Sequence, residues 1–381
     1  MKITGVDLLV LAAPGAYEAP QGAEEAYGFR YLGIVRVETD AGITGYADVE
    51  TQPHVARAII EAPSEGAAPG FLGLRSVLLG EDPLEVERLW HKMYEASVYY
   101  GRRGVAIQVI SAIDIALWDI AGKALGQPVY KLLGGGHRTK VRAYASTLFR
   151  PEPEAIAEAC RRYVDQGFTA VKFGWGVFGQ DPERDVRLVE AARRALGDRN
   201  DLLIDAGWMV HRTPKEAIAL VRRLEPYRPF FIEEPLHPED YDGYAQLCEA
   251  VDTLIACGEQ EATEWGFRLL IERGKIDVVQ PDISRCGGLT AARKIVHMTE
   301  LHNRLCVPHS WLSDLLTAAS LHLNAFQRRS VFIEFNVTSG PLSREICRNP
   351  IRMRDGYIEV PQGPGLGVEV DEFTLAKYRV E

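Results

Sequence analysis

Only six of the 381 residues are cysteine, Cys160, Cys248, Cys257, Cys286, Cys306 and Cys347, and no two form a C-x-x-C pair. That is too sparse for a disulfide-stapled scaffold, so reduced thiols in a cytoplasmic protein are expected. Basic charge is also in deficit. Lys and Arg number 43 against 53 Asp and Glu, a formal net charge of −10, which leaves no basic footprint for nucleic acid. No segment reads as long and apolar enough to span a membrane. The apolar run after Lys2 faintly suggests a signal peptide, but Asp7 interrupts it, and residues 8–10 and 32–39 read better as paired strands. Low-complexity tracts are missing too. What remains, 46% hydrophobic and 25% charged residues, is the composition of a globular protein with a large core.

From about Val141 onward, short apolar runs alternate with helical patterns. The runs lie at 141–146, 169–173, 202–206, 230–233, 254–257, 278–281, 305–308 and 331–334, each rich in β-branched or aromatic residues, as befits strands buried on both faces. Helical stretches such as 153–166, 185–196, 214–224, 289–303 and 314–326 separate them. Thr213 followed by Pro214 is a helix entry, an N-cap and then proline at the first helical position. Eight strands with seven intervening helices predict a parallel (β/α) barrel over 126–355. Residues 1–125 read as a separate α+β domain: antiparallel strands to about residue 60 with a turn at 39–42, a Gly/Pro/Ala-rich mobile loop at 62–73, then helices over 83–124. The tail, 356–381, is no ninth barrel unit.

Charged residues recur where the expected strands end: Lys172, Asp205, Glu233, Glu259, Asp282, His309 and Glu334, separated by 33, 28, 26, 23, 27 and 25 residues. One βα unit of a barrel is about that long, roughly 250 residues over eight units, and barrel active sites sit at the C-terminal ends of the strands. Asp205, Glu233 and Glu259 would lie on adjacent strands. Three bare carboxylates together repel one another, and a hard cation such as Mg²⁺ removes the conflict while leaving positions open for a substrate. Asp282 and His309 fall on neighbouring strands, where the carboxylate would orient the imidazole as a general base. Lys172 could assist a carboxylate substrate. Glu334 could donate or share a proton if its pKa is raised.

The segments Phe231-Ile232-Glu233-Glu234-Pro235, Gly258-Glu259, Gln280-Pro281-Asp282, Cys286-Gly287-Gly288 and Pro308-His309-Ser310 resemble the mandelate racemase group of the enolase superfamily. The likeness extends to the run from Ser111 to Asp119 and covers nearly the whole chain. It implies a modified (β/α)₇β barrel under a capping domain built from residues 1–125 and the tail. It also implies one Mg²⁺ per subunit on Asp205, Glu233 and Glu259, a dyad of Asp282 and His309, an electrophilic acid at Glu334, and a homo-oligomer. One departure stands out. Many members carry Lys-x-Lys at the end of strand two, but here the stretch is Lys172-Phe173-Gly174, so the second base is missing.

The expected chemistry starts with His309 removing the proton next to a Mg²⁺-bound carboxylate, with Lys172 and Glu334 stabilising the enediolate. Racemisation needs an acid on the opposite face, which Gly174 does not supply. Loss of a β-hydroxyl needs none, so an acid-sugar dehydratase giving a 2-keto-3-deoxy acid is the favoured reading. A racemase or epimerase using another base, such as His211, and a non-catalytic ligand-binding barrel remain as alternatives. Specificity is expected from cap loops at 14–30 and 51–73, with Arg30, His54, Trp175 and Trp311 as candidate substrate contacts.

Overall fold

A computed structural model describes residues 1–13, 31–208, 210, 212–337 and 340–380. The N-terminal part opens with an antiparallel sheet of β1 (Ile3–Ala12), β2 (Tyr31–Thr39) and β3 (Thr44–Val49), in the order β1-β2-β3. Leu8 pairs with Val35 and Val10 with Gly33, as the alternating pattern predicts. Five helices follow: α1 (Pro53–Glu61), α2 (Leu74–Leu78), α3 (Val86–Gly101), α4 (Val105–Leu125) and α5 (Val129–Leu133).

Three expectations need correction here. Residues 53–61 are helical rather than extended, because Pro53 suits the first helical turn and the Gln52 side chain accepts from Val55 N at 3.1 Å. The 62–73 loop is irregular but tied down. Leu72 N donates to Ala96 O at 2.9 Å, Tyr100 Oη donates to Leu72 O at 2.7 Å, and Phe71 stacks on Tyr99 with centroids 5.0 Å apart. Finally, α4 is long and apolar enough to cross a membrane on length and composition alone. It is instead mostly buried within the protein, with 83% of its most apolar window covered.

The second part runs through β4 (Lys140–Leu148), α6 (Pro153–Asp165), β5 (Ala170–Gly174), α7 (Pro182–Leu196), β6 (Asp201–Asp205), α8 (Pro214–Leu224), β7 (Phe231–Glu233), α9 (Tyr241–Ala250), β8 (Leu254–Cys257), α10 (Thr263–Glu272), β9 (Val278–Val279), α11 (Gly288–Leu301), β10 (Leu305–Cys306), α12 (Asp314–Phe326) and β11 (Ile333–Asn336). Neighbouring strands are parallel from β4 to β10, and β11 pairs back onto β4, giving a modified TIM barrel. At α8, Thr213 and Glu216 complete a reciprocal cap ahead of Pro214. The chain then adds α13 (Pro341–Arg344), β12 (Met353–Arg354), β13 (Tyr357–Glu359) and α14 (Glu372–Tyr378). β13 pairs antiparallel with β4, whereas Arg379 bridges to Leu11 and the Tyr46 hydroxyl bonds Glu372. The tail thus starts on the barrel and ends on the N-terminal sheet.

The barrel interior explains where the site lies. Tyr144, Ala170, Leu203, Phe231, Ala256, Val278, Val307 and Phe332, one from each strand or its flank, form a buried apolar cluster. Side chains two positions apart on a strand share a face. Two residues beyond six of these core positions stand Ser146, Lys172, Asp205, Glu233, His309 and Glu334. The apolar layer is the floor, and the polar residues form the next layer above it.

Candidate active site and metal centre

Above that floor lies a cavity of about 220 Å³. Its lining includes Lys172, Asp205, Glu259, His309 and Glu334 together with Trp175 and Trp311. Carboxylate oxygens of Asp205, Glu233 and Glu259 all lie within 4.8 Å of one another, and all three residues are buried. Gly207 N holds Asp205 Oδ1 at 2.9 Å, and Gln260 Nε2 holds Glu259 Oε1 at 3.0 Å. Glu233 Oε1 is buried without a hydrogen-bond partner among the described residues. Burial, then the charge of Glu233, push the Asp205 carboxyl well above its ordinary pKa. An all-oxygen trio with an orphaned carboxylate oxygen and excess negative charge fits a hard divalent cation.

His309 stands beside this trio. Its Nδ1 is 2.6 Å from Asp282 Oδ2, and its Nε2 is 3.2 Å from Glu259 Oε2. Asp282 is itself fixed by Ser284, whose N and Oγ reach Oδ1 at 2.7 and 2.6 Å. Burial disfavours the imidazolium, but Glu259, Glu334 and Asp282 outweigh it and hold the His309 pKa well above 6.5. A cation bound to Glu259 would offset part of that field.

Lys172 Nζ lies 2.7 Å from Glu233 Oε2 and 2.9 Å from Glu334 Oε1, with the Tyr144 ring 5.5 Å below it. Burial alone would raise the Glu334 pKa. Lys172, His309, and the hydrogen bond from Ser310 N at 2.7 Å reverse that and bring it down to about 2. Lys172 and Ser310 N thus hold Glu334 as a hydrogen-bond acceptor at this edge of the cavity. Proton-bearing groups at that edge are Lys172 and Ser146, whose Oγ donates to Glu334 Oε1 at 2.7 Å.

Of the four expected substrate contacts, Trp175 and Trp311 line the cavity. Trp175 does so with φ of 51°, a left-handed conformation that is costly for a bulky residue. His54 is exposed on α1 and is not among the cavity-lining residues, because the helix that replaces the expected strand carries it to the surface. Arg30 and His211 lie outside the described residues. Three participants escaped the sequence reading. Ser146 stands on β4, two residues beyond the core Tyr144. Glu50, just after β3, reaches across from the N-terminal sheet to line the cavity and bonds Arg285. Burial raises the Glu50 carboxyl, Arg285 opposes this, and it settles at about 8. Arg285 was detectable, standing between Asp282 and Cys286-Gly287-Gly288, but nothing in the sequence pairs it with Glu50.

The chain is similar to known proteins along its length. A family model described as "Enolase C-terminal domain-like" matches residues 155–374, and one described as "Mandelate racemase / muconate lactonizing enzyme, N-terminal domain" matches residues 21–134. The chain is 32% identical to D-galactarolactone cycloisomerase of Agrobacterium fabrum, over 100% of this chain and 99% of that protein. It is 33% identical to D-galactonate dehydratase of Ralstonia pickettii, over 89% and 88%. The crystal structure of 3,6-anhydro-D-galactonate cycloisomerase from Zobellia galactanivorans superimposes with a TM-score of 0.89 at 33% identity, covering 100% of both chains. Sequence motifs, barrel, cap and matched models converge on one assignment: the chain belongs to the mandelate racemase/muconate lactonizing enzyme family of the enolase superfamily.

Proposed function

We propose that this protein is a Mg²⁺-dependent acid-sugar dehydratase, a hydro-lyase acting on a sugar acid. The observation that carries the reading is His309 held between Asp282 and the carboxylate trio, on one side of a cavity whose second-lysine position is Gly174. Asp205, Glu233 and Glu259 would hold the Mg²⁺, which supplies positive charge at the substrate carboxylate. His309 takes the α-proton. The C–H electron pair becomes the C=C bond, the β-C–O bond breaks, and His309 returns its proton to the departing hydroxyl, which leaves as water. The resulting enol ketonises to a 2-keto-3-deoxy acid. Lys172 balances charge as it develops on the carboxylate oxygens, and Trp175 and Trp311 exclude water from the cavity wall. Relatives named galactonate, gluconate and arabinonate dehydratases support this substrate class. In this reading residues 1–125 and 356–381 are the cap and 126–355 the catalytic barrel. The six free cysteines agree with a cytoplasmic setting.

A second reading comes from the cycloisomerase names of two relatives that match the full chain. If the β-oxygen belongs to a ring, the same elimination opens the ring, the freed oxygen takes the proton from His309, and nothing is lost. Screening open-chain and cyclic sugar acids with Mg²⁺ for 2-keto acid formation tests both, since only dehydration lowers the product mass by one water. Full turnover by His309→Asn would overturn either.

A further inference from the structure

Glu50 and Arg285 connect the N-terminal sheet to the trio. Arg285 Nη2 bonds Glu50 Oε1, while Nη1 donates to Glu259 O at 3.1 Å and stands 3.6 Å from Glu259 Oε1. Both side chains are largely buried, at 15% and 12% exposure, so the guanidinium has few other partners to turn to. Glu50, Asp282 and His309 also bring ligand-type atoms within 4.8 Å of one another. Arg285 is therefore a cation held between Glu50, just after β3, and a carboxylate of the trio. A guanidinium binds carboxylates in a planar, two-pronged geometry and competes directly with a metal for the same oxygens.

From this we infer that Glu50 is a positioning residue that holds Arg285 off the Glu259 carboxylate and so sets the affinity of the trio for a divalent cation. Two residues earlier, on β3 itself, Asp48 Oδ2 accepts from Ser313 N at 2.9 Å and Ser313 Oγ at 2.6 Å. The end of β3 thus grips the loop carrying Asp282 and Arg285 and the one carrying His309. Metal affinity would respond to how the N-terminal sheet is seated.

The inference rests on the proposed role of Asp205, Glu233 and Glu259, and the test separates the two. Mg²⁺ binding by full-length protein is measured by calorimetry, with folding checked by thermal melts. Wild type is expected to bind Mg²⁺; no binding would sink the metal reading itself. Glu50→Ala should weaken binding roughly 10–100-fold, the range typical of residues behind metal ligands. Glu50→Gln, which keeps an acceptor oxygen, should fall between. Glu50→Ala/Arg285→Met should recover most of the loss, because the competing cation is gone. Wild-type binding that stays unchanged in Glu50→Ala, or a double variant no better than the single one, overturns the inference. If Glu50→Ala does not fold, Glu50→Gln and the double variant decide the question by the same criteria.

Discussion

Gly174 and Asp205 are packed so closely that a Cβ on the glycine would stand 2.7 Å from both Cβ and Oδ2 of the aspartate. At the position where the family resemblance implies a second lysine, the space that even a Cβ would need is taken by a side chain of the carboxylate trio. Gly174→Ala should therefore disturb Asp205 before it affects anything else, lowering Mg²⁺ affinity by roughly 10–100-fold. Calorimetric titration with Mg²⁺ checks this; an unchanged affinity would show that the aspartate can move aside.

Three crowded acids make a second expectation. Asp205→Asn should stabilise the metal-free protein, because it removes one of the repelling charges, and should abolish the stabilisation by Mg²⁺. Wild type should gain about 2.7 kcal/mol at a hundredfold excess over Kd. Urea unfolding with Mg²⁺ and with a chelator provides the comparison. A metal response retained in Asp205→Asn would remove this residue from the ligand set.

Lys172→Met leaves Glu233 and Glu334 without their shared ammonium. Breaking a buried pair of this kind costs about 3–5 kcal/mol, and the pair here is only 3% and 0% exposed. Turnover should fall by at least about 100-fold. Urea midpoints and initial rates measure the two effects separately; near-normal rates would deny Lys172 a role in charge stabilisation.

Asp114 on α4 offers a pH test away from the chemistry. Burial raises its pKa from 3.8 to about 7, despite hydrogen bonds from Thr290 Oγ1 at 2.6 Å and Thr290 N at 3.0 Å. The folded state thus keeps a proton that the unfolded chain releases near pH 3.8. The stabilisation is complete below that pH, declines as pH rises, and is gone above about 7. The slope is roughly 1.4 kcal/mol per pH unit. Asp114→Asn should flatten that decline, and stability curves of the two proteins between pH 4 and 8 should converge at the acid end if the assignment holds.

The barrel and its polar ring were legible because both are periodic. Strand runs recur with the βα unit, and Lys172, Asp205, Glu233, His309 and Glu334 each stand two residues beyond an apolar core position. Glu259 and Asp282 break that spacing slightly, since they follow β8 and β9 rather than end them. What escaped was aperiodic and distant. Glu50 and Arg285 are 235 residues apart, and no local pattern announces their contact. Helix α1 was missed because nine residues beginning with proline carry too short an apolar stripe to override the strand pattern before them. The ion pair of Glu334 with Lys172 is made by a side chain from another strand, which spacing alone cannot convey.

The apolarity of α4 bears on how the protein can be taken apart. Sixteen of its 21 residues are buried, and it is fastened to the loop after β9 and to α11: Ser111 Oγ accepts from Gly287 N at 2.8 Å, and Trp118 Nε1 donates to Thr290 Oγ1 at 3.0 Å. Most of its covering comes from its own half, from β2, β3, α1 and α3, and α11 supplies the barrel's share. The loop that carries Asp282 and Arg285 is thus seated on the core helix of the N-terminal part. A foreign N-terminal part would have to reproduce the face that Ser111 and Trp118 present to Gly287 and Thr290 before the barrel mouth could keep its shape.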